Sequence, residues 1–145
     1  MRVILLIGLP GSGKSTWAAQ QNHVVLSSDQ MRFVLCGDET NQTIHAQVFA
    51  ALRYLLRERL KLRQEATIID ATNLRRRDRR QFRQIAREHE AEIEAVFFDV
   101  PFELALARNR SRQRVVPEEA MHRLAARLEP PSEREGYSRI TTISA

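Results

Sequence analysis

One eight-residue run constrains this chain more than anything else in it. Gly8-Leu9-Pro10-Gly11-Ser12-Gly13-Lys14-Ser15 follows the apolar stretch Arg2 to Ile7 and leads into a helical segment. Glycine allows such a loop to wrap so that several backbone N–H groups point at one anion. A helix beginning at Lys14 adds partial positive charge from its first turn. Gly-x4-Gly-Lys-Ser between a strand and a helix is the pattern that cradles a nucleoside triphosphate. It assigns Lys14 to the β and γ phosphates and the Ser15 hydroxyl to Mg²⁺, with ATP as the nucleotide. Gly8 through Thr16 are therefore the candidate nucleotide-binding residues.

The rest of the chain alternates short β-branched runs with helical periodicity. Arg2–Ile7, Val24–Ser27, Thr67–Asp70, Ile93–Asp99 and Arg139–Ile143 read as strands. Ile44, Val48, Leu52, Leu56 and Leu60 recur every four residues, and Phe82, Ile85, Ala86 and His89 form a second stripe. Met121, Leu124, Ala125 and Leu128 form a third. Pro101 and Pro117 suit first helical turns, and Pro130-Pro131 stops the last helix. This order implies an α/β fold, a mainly parallel sheet of about five strands with helices on both faces. Ligands of such sheets lie beyond the carboxyl ends of the strands, which brings together the residues just after Ile7, Ser27 and Asp70.

Each of those strand ends carries chemistry. Asp29, in Ser27-Ser28-Asp29-Gln30-Met31-Arg32, is placed to take a proton from an attacking hydroxyl. Arg32, one helical turn on, could hold an anionic group of the acceptor. The competing reading makes Asp29 only the cap of a helix through Leu35. Asp70 closes its strand as a Walker B carboxylate would, although an aspartate there also forms turns unaided. Arg108 and Arg112, at i, i+4, are expected to share a helix face, ahead of a Val116-Pro117 step that forces the chain out of helix. That segment, about 108–128, is expected to be an arginine-bearing lid. The run Arg75-Arg76-Arg77-Asp78-Arg79-Arg80 divides evenly between a solvated helix face and contact with a phosphate backbone.

Composition narrows the setting. The chain has 145 residues and reads as a single domain over 1–145. It holds no apolar run long enough to span a membrane and no cleavable leader. A lone cysteine, Cys36, excludes an intrachain disulfide, fits a reducing cytoplasm and is expected to be a small buried apolar residue. Net charge is +5, and of the 23 basic residues only Lys14 and Lys61 are lysine. Arginine grips phosphate with two parallel donors, so a polyanionic partner fits. His23, His45, His89 and His122 lack metal-ligand spacing. Trp17, on the helix after the glycine loop, is expected to pack and not to stack on a base, and Phe33 is open between the same two roles.

The ordered set resembles a known group. The glycine loop, Ser27-Ser28-Asp29 with Arg32, Gly37-Asp38-Glu39-x-Asn41-Gln42 and Asp70-Ala71-Thr72-Asn73 come first. Arginines through Val115-Val116-Pro117, then Glu129-Pro130-Pro131 and Glu135-Gly136-Tyr137, follow. Together they are similar to the kinase domain of bacterial and phage polynucleotide 5′-kinases, within the small ATP-dependent P-loop kinases. The resemblance implies a P-loop kinase fold in which Asp29 is the general base for a 5′-hydroxyl and Arg32 binds the adjoining 3′ phosphate. It makes Lys14 and Arg112 the groups that stabilise the transferring phosphate, with Arg108 on the nucleotide. Asp70, Asn73 and Arg114 take supporting roles. Repair enzymes of this type usually carry a phosphatase or ligase on the same chain. None is recognised in residues 1–145, which leaves a stand-alone kinase or an excised domain. The expected substrate is the 5′-OH end of RNA or DNA, with repair enzymes supplying phosphatase or ligase activity as candidate partners. A kinase of a small-molecule hydroxyl (nucleoside, sugar or antibiotic) and a nucleotide-dependent switch are the alternative readings.

Overall fold

The computed structural model describes residues 1–144. Its strands are β1 Arg2–Ile7, β2 Val24–Ser27, β3 Ala66–Asp70, β4 Glu92–Asp99 and β5 Arg139–Ser144. They form one sheet in the order β2-β3-β1-β4-β5, and every neighbouring pair is parallel. The helices are α1 Lys14–Gln20, α2 Ser28–Cys36, α3 His45–Lys61, α4 Arg76–Glu88, α5 Phe102–Arg110 and α6 Glu118–Arg127. Short 3-10 turns at Gln42–Ile44 and Glu133–Glu135 complete the order.

The apolar run of β1 has no polar alternation because both of its faces are covered. Val3 and Leu5 pack with Leu26 and Ile69 under α3 and α4, against Val48, Leu52, Leu56, Phe82 and Ile85. Ile4 and Leu6 point the other way, into a cluster with Ile68, Val96, Phe98 and Ala18 of α1. Trp17 packs there too, edge-on to Phe98. A third cluster of Leu9, Leu74, Ala105, Leu106 and Met121 ties the glycine loop to α5 and α6. The register levels the strand ends: Ser27 pairs with Asp70 and Leu5 with Ile69. Residues following β1, β2 and β3 therefore open onto one rim.

Four local expectations change. Pro101 and Pro117 are N-caps of α5 and α6, not first-turn residues. His89 and Leu128 continue their stripes only as C-caps. Cys36 is exposed, because it ends a short helix whose outer face, Phe33, Val34 and Leu35, also meets solvent. Arg108 and Arg112 do not share a helix face, since α5 stops at Arg110. The cause is Asn109, whose buried amide donates to the Val116 carbonyl (2.6 Å) and accepts from Val116 N–H (3.0 Å). That bracket closes residues 111–115 into a loop. Among the described residues, no helix is long and apolar enough to cross a membrane.

Candidate active site

The loop between β1 and α1 is shaped by two glycines in the left-handed region, where a side chain is strained. Gly11 has φ 82°, and a Cβ on it would lie 2.4 Å from the Ala105 carbonyl of α5. Gly13 has φ 99°, and a Cβ there would come within 3.9 Å of Arg108 Nη1. The loop is thus pressed against α5 on one side and faces a lid arginine on the other. Gly8 N–H bonds the Thr72 carbonyl at 3.0 Å, locking the loop to the exit of β3. Ser12 Oγ is buried without a hydrogen-bond partner.

Lys14 is buried, with Nζ donating to the Leu9 carbonyl at 2.9 Å. Burial pulls its ammonium down to about 8, opposed by Asp70 and Asp29 and assisted by the charge of Arg112. A buried cation with one carbonyl partner, beside a partnerless serine hydroxyl, is a cradle that an anion completes. Ser15 Oγ donates to Asp70 Oδ2 at 2.8 Å. Among the described residues no group of three or more His, Cys, Asp and Glu could hold a metal by itself. The donor set suits Mg²⁺ carried in on a nucleotide, which keeps several waters and needs only one or two protein oxygens.

Asp29 lies in the first turn of α2 but does not cap it. Ser27 is the N-cap, its Oγ accepting from Gln30 N–H at 3.3 Å. The carboxylate is left for other partners. Asp29 Oδ1 meets Arg32 Nη1 at 3.5 Å and is also bridged by Arg114 Nη1 from the lid loop. Arg32 is buried, and its Nε has no hydrogen-bond partner. Burial, more than any neighbour, weakens its hold on the proton, with Asp29 opposing and Arg114 assisting. Asn73 takes φ 48° and donates Nδ2 to the Leu6 (2.8 Å) and Ala71 (3.3 Å) carbonyls. It clamps the exits of β1 and β3 together.

Most of these residues border one cleft of about 1570 Å³, while Gly8 and Leu9 are buried away from it. Gly11 to Thr16, Asp29, Arg32, Asp70, Asn73, Arg108, Arg112 and Arg114 border it. Arg108, Arg112 and Arg114 all reach it although α5 ends at Arg110. The run Arg75 to Arg80 does not behave as one unit. Arg76, Arg77 and Arg80 are exposed, and Arg75 closes onto Asp78 (3.1 Å). Arg79 is fully buried, so neither reading of the run holds for it. Its Nε and Nη2 grip Glu135 at 2.9 and 3.0 Å, and Nη1 donates to the carbonyls of Asn73, Leu74 and Glu129. This strut, unforeseen from the sequence, anchors the loop after β3 that carries Asn73.

A parallel sheet with this loop at the end of its central strand, a buried lysine and three arginines of the α5–α6 segment on one cleft defines a P-loop fold of the small-kinase type. The family model described as AAA domain matches residues 3–131, and the chain belongs to that family. It is 27% identical over 140 residues to an L-seryl-tRNA(Sec) kinase of Methanococcus maripaludis, covering 89% of this chain and 53% of that protein. It is 27% identical over 146 residues to a bifunctional polynucleotide phosphatase/kinase of Schizosaccharomyces pombe, covering 97% and 33%. The chain thus spans about half and one third of the lengths of these curated relatives. Among solved structures, a chain of the Pnkp1/Rnl/Hen1 RNA repair complex superposes with a TM-score of 0.72 at 25% identity, over 88% of this chain and 43% of that one. The fold is that of the small P-loop kinases.

Proposed function

We propose that the chain is an ATP- and Mg²⁺-dependent kinase that transfers the γ-phosphate to the 5′-hydroxyl end of RNA or DNA. The observation that carries this reading is the position of Asp29 beside Arg32, with its carboxylate uncapped, on the same cleft as Lys14. A carboxylate free of capping duty can accept the proton of an attacking hydroxyl. Arg32, buried with an unused Nε, is a ready partner for an acceptor phosphate. A metal held by Ser15 and steadied by Asp70 would neutralise charge on the β and γ phosphates.

In this reading the acceptor oxygen forms a bond to the γ phosphorus while the bond to the β–γ bridging oxygen breaks. The hydroxyl proton passes to Asp29, and ADP leaves. Lys14 and Arg112 face the charge that develops on the phosphoryl oxygens, with Arg108 near the loop at Gly13. Arg114 holds Asp29 in place, and Asn73 keeps the two strand exits in register. The polynucleotide relatives support the acceptor class, and enzymes supplying phosphatase or ligase activity would be natural partners.

The test is label transfer from [γ-³²P]ATP to 5′-OH oligonucleotides beside a panel of nucleosides and sugars. Label on the oligonucleotides, lost in Lys14→Ala, is expected. Label confined to a small-molecule hydroxyl would move the acceptor class, and ATP hydrolysis with no acceptor labelled would favour a nucleotide-dependent switch.

A further inference from the structure

The cleft is larger than one nucleotide needs. Drug-sized pockets run to roughly 300–1,000 Å³, and this one is about 1570 Å³. Its surplus lies beyond Asp29, between α3 and the start of α4. On α3 the side chains of His45, Phe49 and Arg53, spaced four apart and so stacked on one helix face, border it. The His45 and Phe49 rings lie 4.5 Å apart at 33°. Phe49 is fixed from behind by buried Phe82, ring centroids 6.4 Å apart. His45 is exposed on top of this stack. Arg75 and Gln81 border the cleft from the α4 side.

We propose that His45 and Phe49 are a stacking platform for the first base of a single-stranded acceptor, and that the groove between α3 and α4 carries the strand away from Asp29. This rests on the polynucleotide reading and adds a subsite to it. The chemistry selects the ligand class. A flat face, anchored by a second ring and left open on its outer side, accepts any base, since every base has a π face. Cations on both walls suit the phosphates on either side of it: Arg53 on α3, and Arg75, whose guanidinium also holds Asp78 at 3.1 Å. A sugar or a small alcohol would leave the rings and one arginine without a partner. Arg32 lies between this platform and Asp29 in function: it meets the phosphate that joins the reacting nucleoside to the strand.

The test uses the full chain and a 5′-OH hexanucleotide, made intact, with its first nucleotide abasic, or with 2-aminopurine as its first base. Wild type is expected to quench 2-aminopurine on binding. Its KM is expected to be roughly 10-fold higher for the abasic strand, the size of one base stacked on an aromatic side chain. In His45→Ala, whose altered side chain is exposed, both the quenching and most of that KM difference should vanish. His45→Phe should restore them, which loss of a merely structural group would not allow. Equal KM for intact and abasic strands, or full discrimination in His45→Ala, overturns the platform while the polynucleotide reading stands. Label on no strand, with a small hydroxyl labelled instead, overturns both.

Discussion

Two buried arginines, Arg79 and Arg32, show how differently this chain uses the same side chain. Arg79 has every nitrogen engaged, with Glu135 below and three carbonyls above. Glu135 is equally settled. Burial alone would raise its carboxyl, but Arg79, Ser132 N–H and the Tyr137 hydroxyl carry it below its ordinary value. Arg32 is almost as deeply buried yet has only a 3.5 Å contact to Asp29 and a partnerless Nε. A buried charge with complete partners is a strut; one with incomplete partners is suited to receive an anion. Arg79 holds the loop after β3, and Arg32 faces the cleft which that loop helps to shape.

The contrast predicts opposite consequences for alanine. Arg79→Ala strands the Glu135 carboxylate and three carbonyls, so unfolding stability should fall by about 3–5 kcal/mol. Chemical denaturation would show it, and a loss below about 1 kcal/mol would deny the strut. Asp29→Asn comes next in size. It keeps the shape of the side chain and an oxygen for Arg32, and Ser27 still caps α2, so stability should fall far less than in Arg79→Ala while kcat drops by about 10²-fold. An unchanged kcat would mean that Asp29 serves only its two arginines. The smallest effect is in pH. Because the folded Glu135 carboxyl sits below its unfolded value, its contribution is complete above the unfolded pKa of about 4.3 and lost as pH falls through the folded one. Wild type should therefore lose stability more steeply than Glu135→Gln between about pH 5 and 3, read from melting temperatures. Parallel slopes would contradict the lowered carboxyl.

Which of these features the sequence discloses follows from their range. The glycine loop, the strands and the stripes of α3 and α4 are local patterns, and each lies close to where periodicity puts it, with Ile44 and His89 falling to the caps. Asp29 and Arg32 were legible because both follow a strand whose end must meet the loop. The strut was not, since Glu135 is 56 residues from Arg79 and the pairing crosses the fold. A trace of it was present all the same. Arg79 precedes Phe82 by three residues and Ala86 by seven, which places it on the buried stripe of α4 and apart from Arg76, Arg77 and Arg80. The end of α5 had a weaker trace, because Asn109 reads as an ordinary polar helix residue until Val116 folds back on it. Cys36 misled through residue type: its usual burial yields to a helix too short to be covered at its end.

The anion site at Arg32 is tested most directly by acceptor kinetics across a nucleoside, its 3′-monophosphate, a dinucleotide and a decamer, for wild type and Arg32→Ala. A bidentate arginine–phosphate contact is worth roughly 1.5–3 kcal/mol, or about 10- to 150-fold. Wild type should prefer the 3′-monophosphate over the bare nucleoside by that factor. Arg32→Ala should erase the preference by harming the monophosphate, with stability nearly unchanged. A wild-type enzyme that favours the bare nucleoside, or an Arg32→Ala variant that keeps the full preference, would contradict a phosphate site at Arg32.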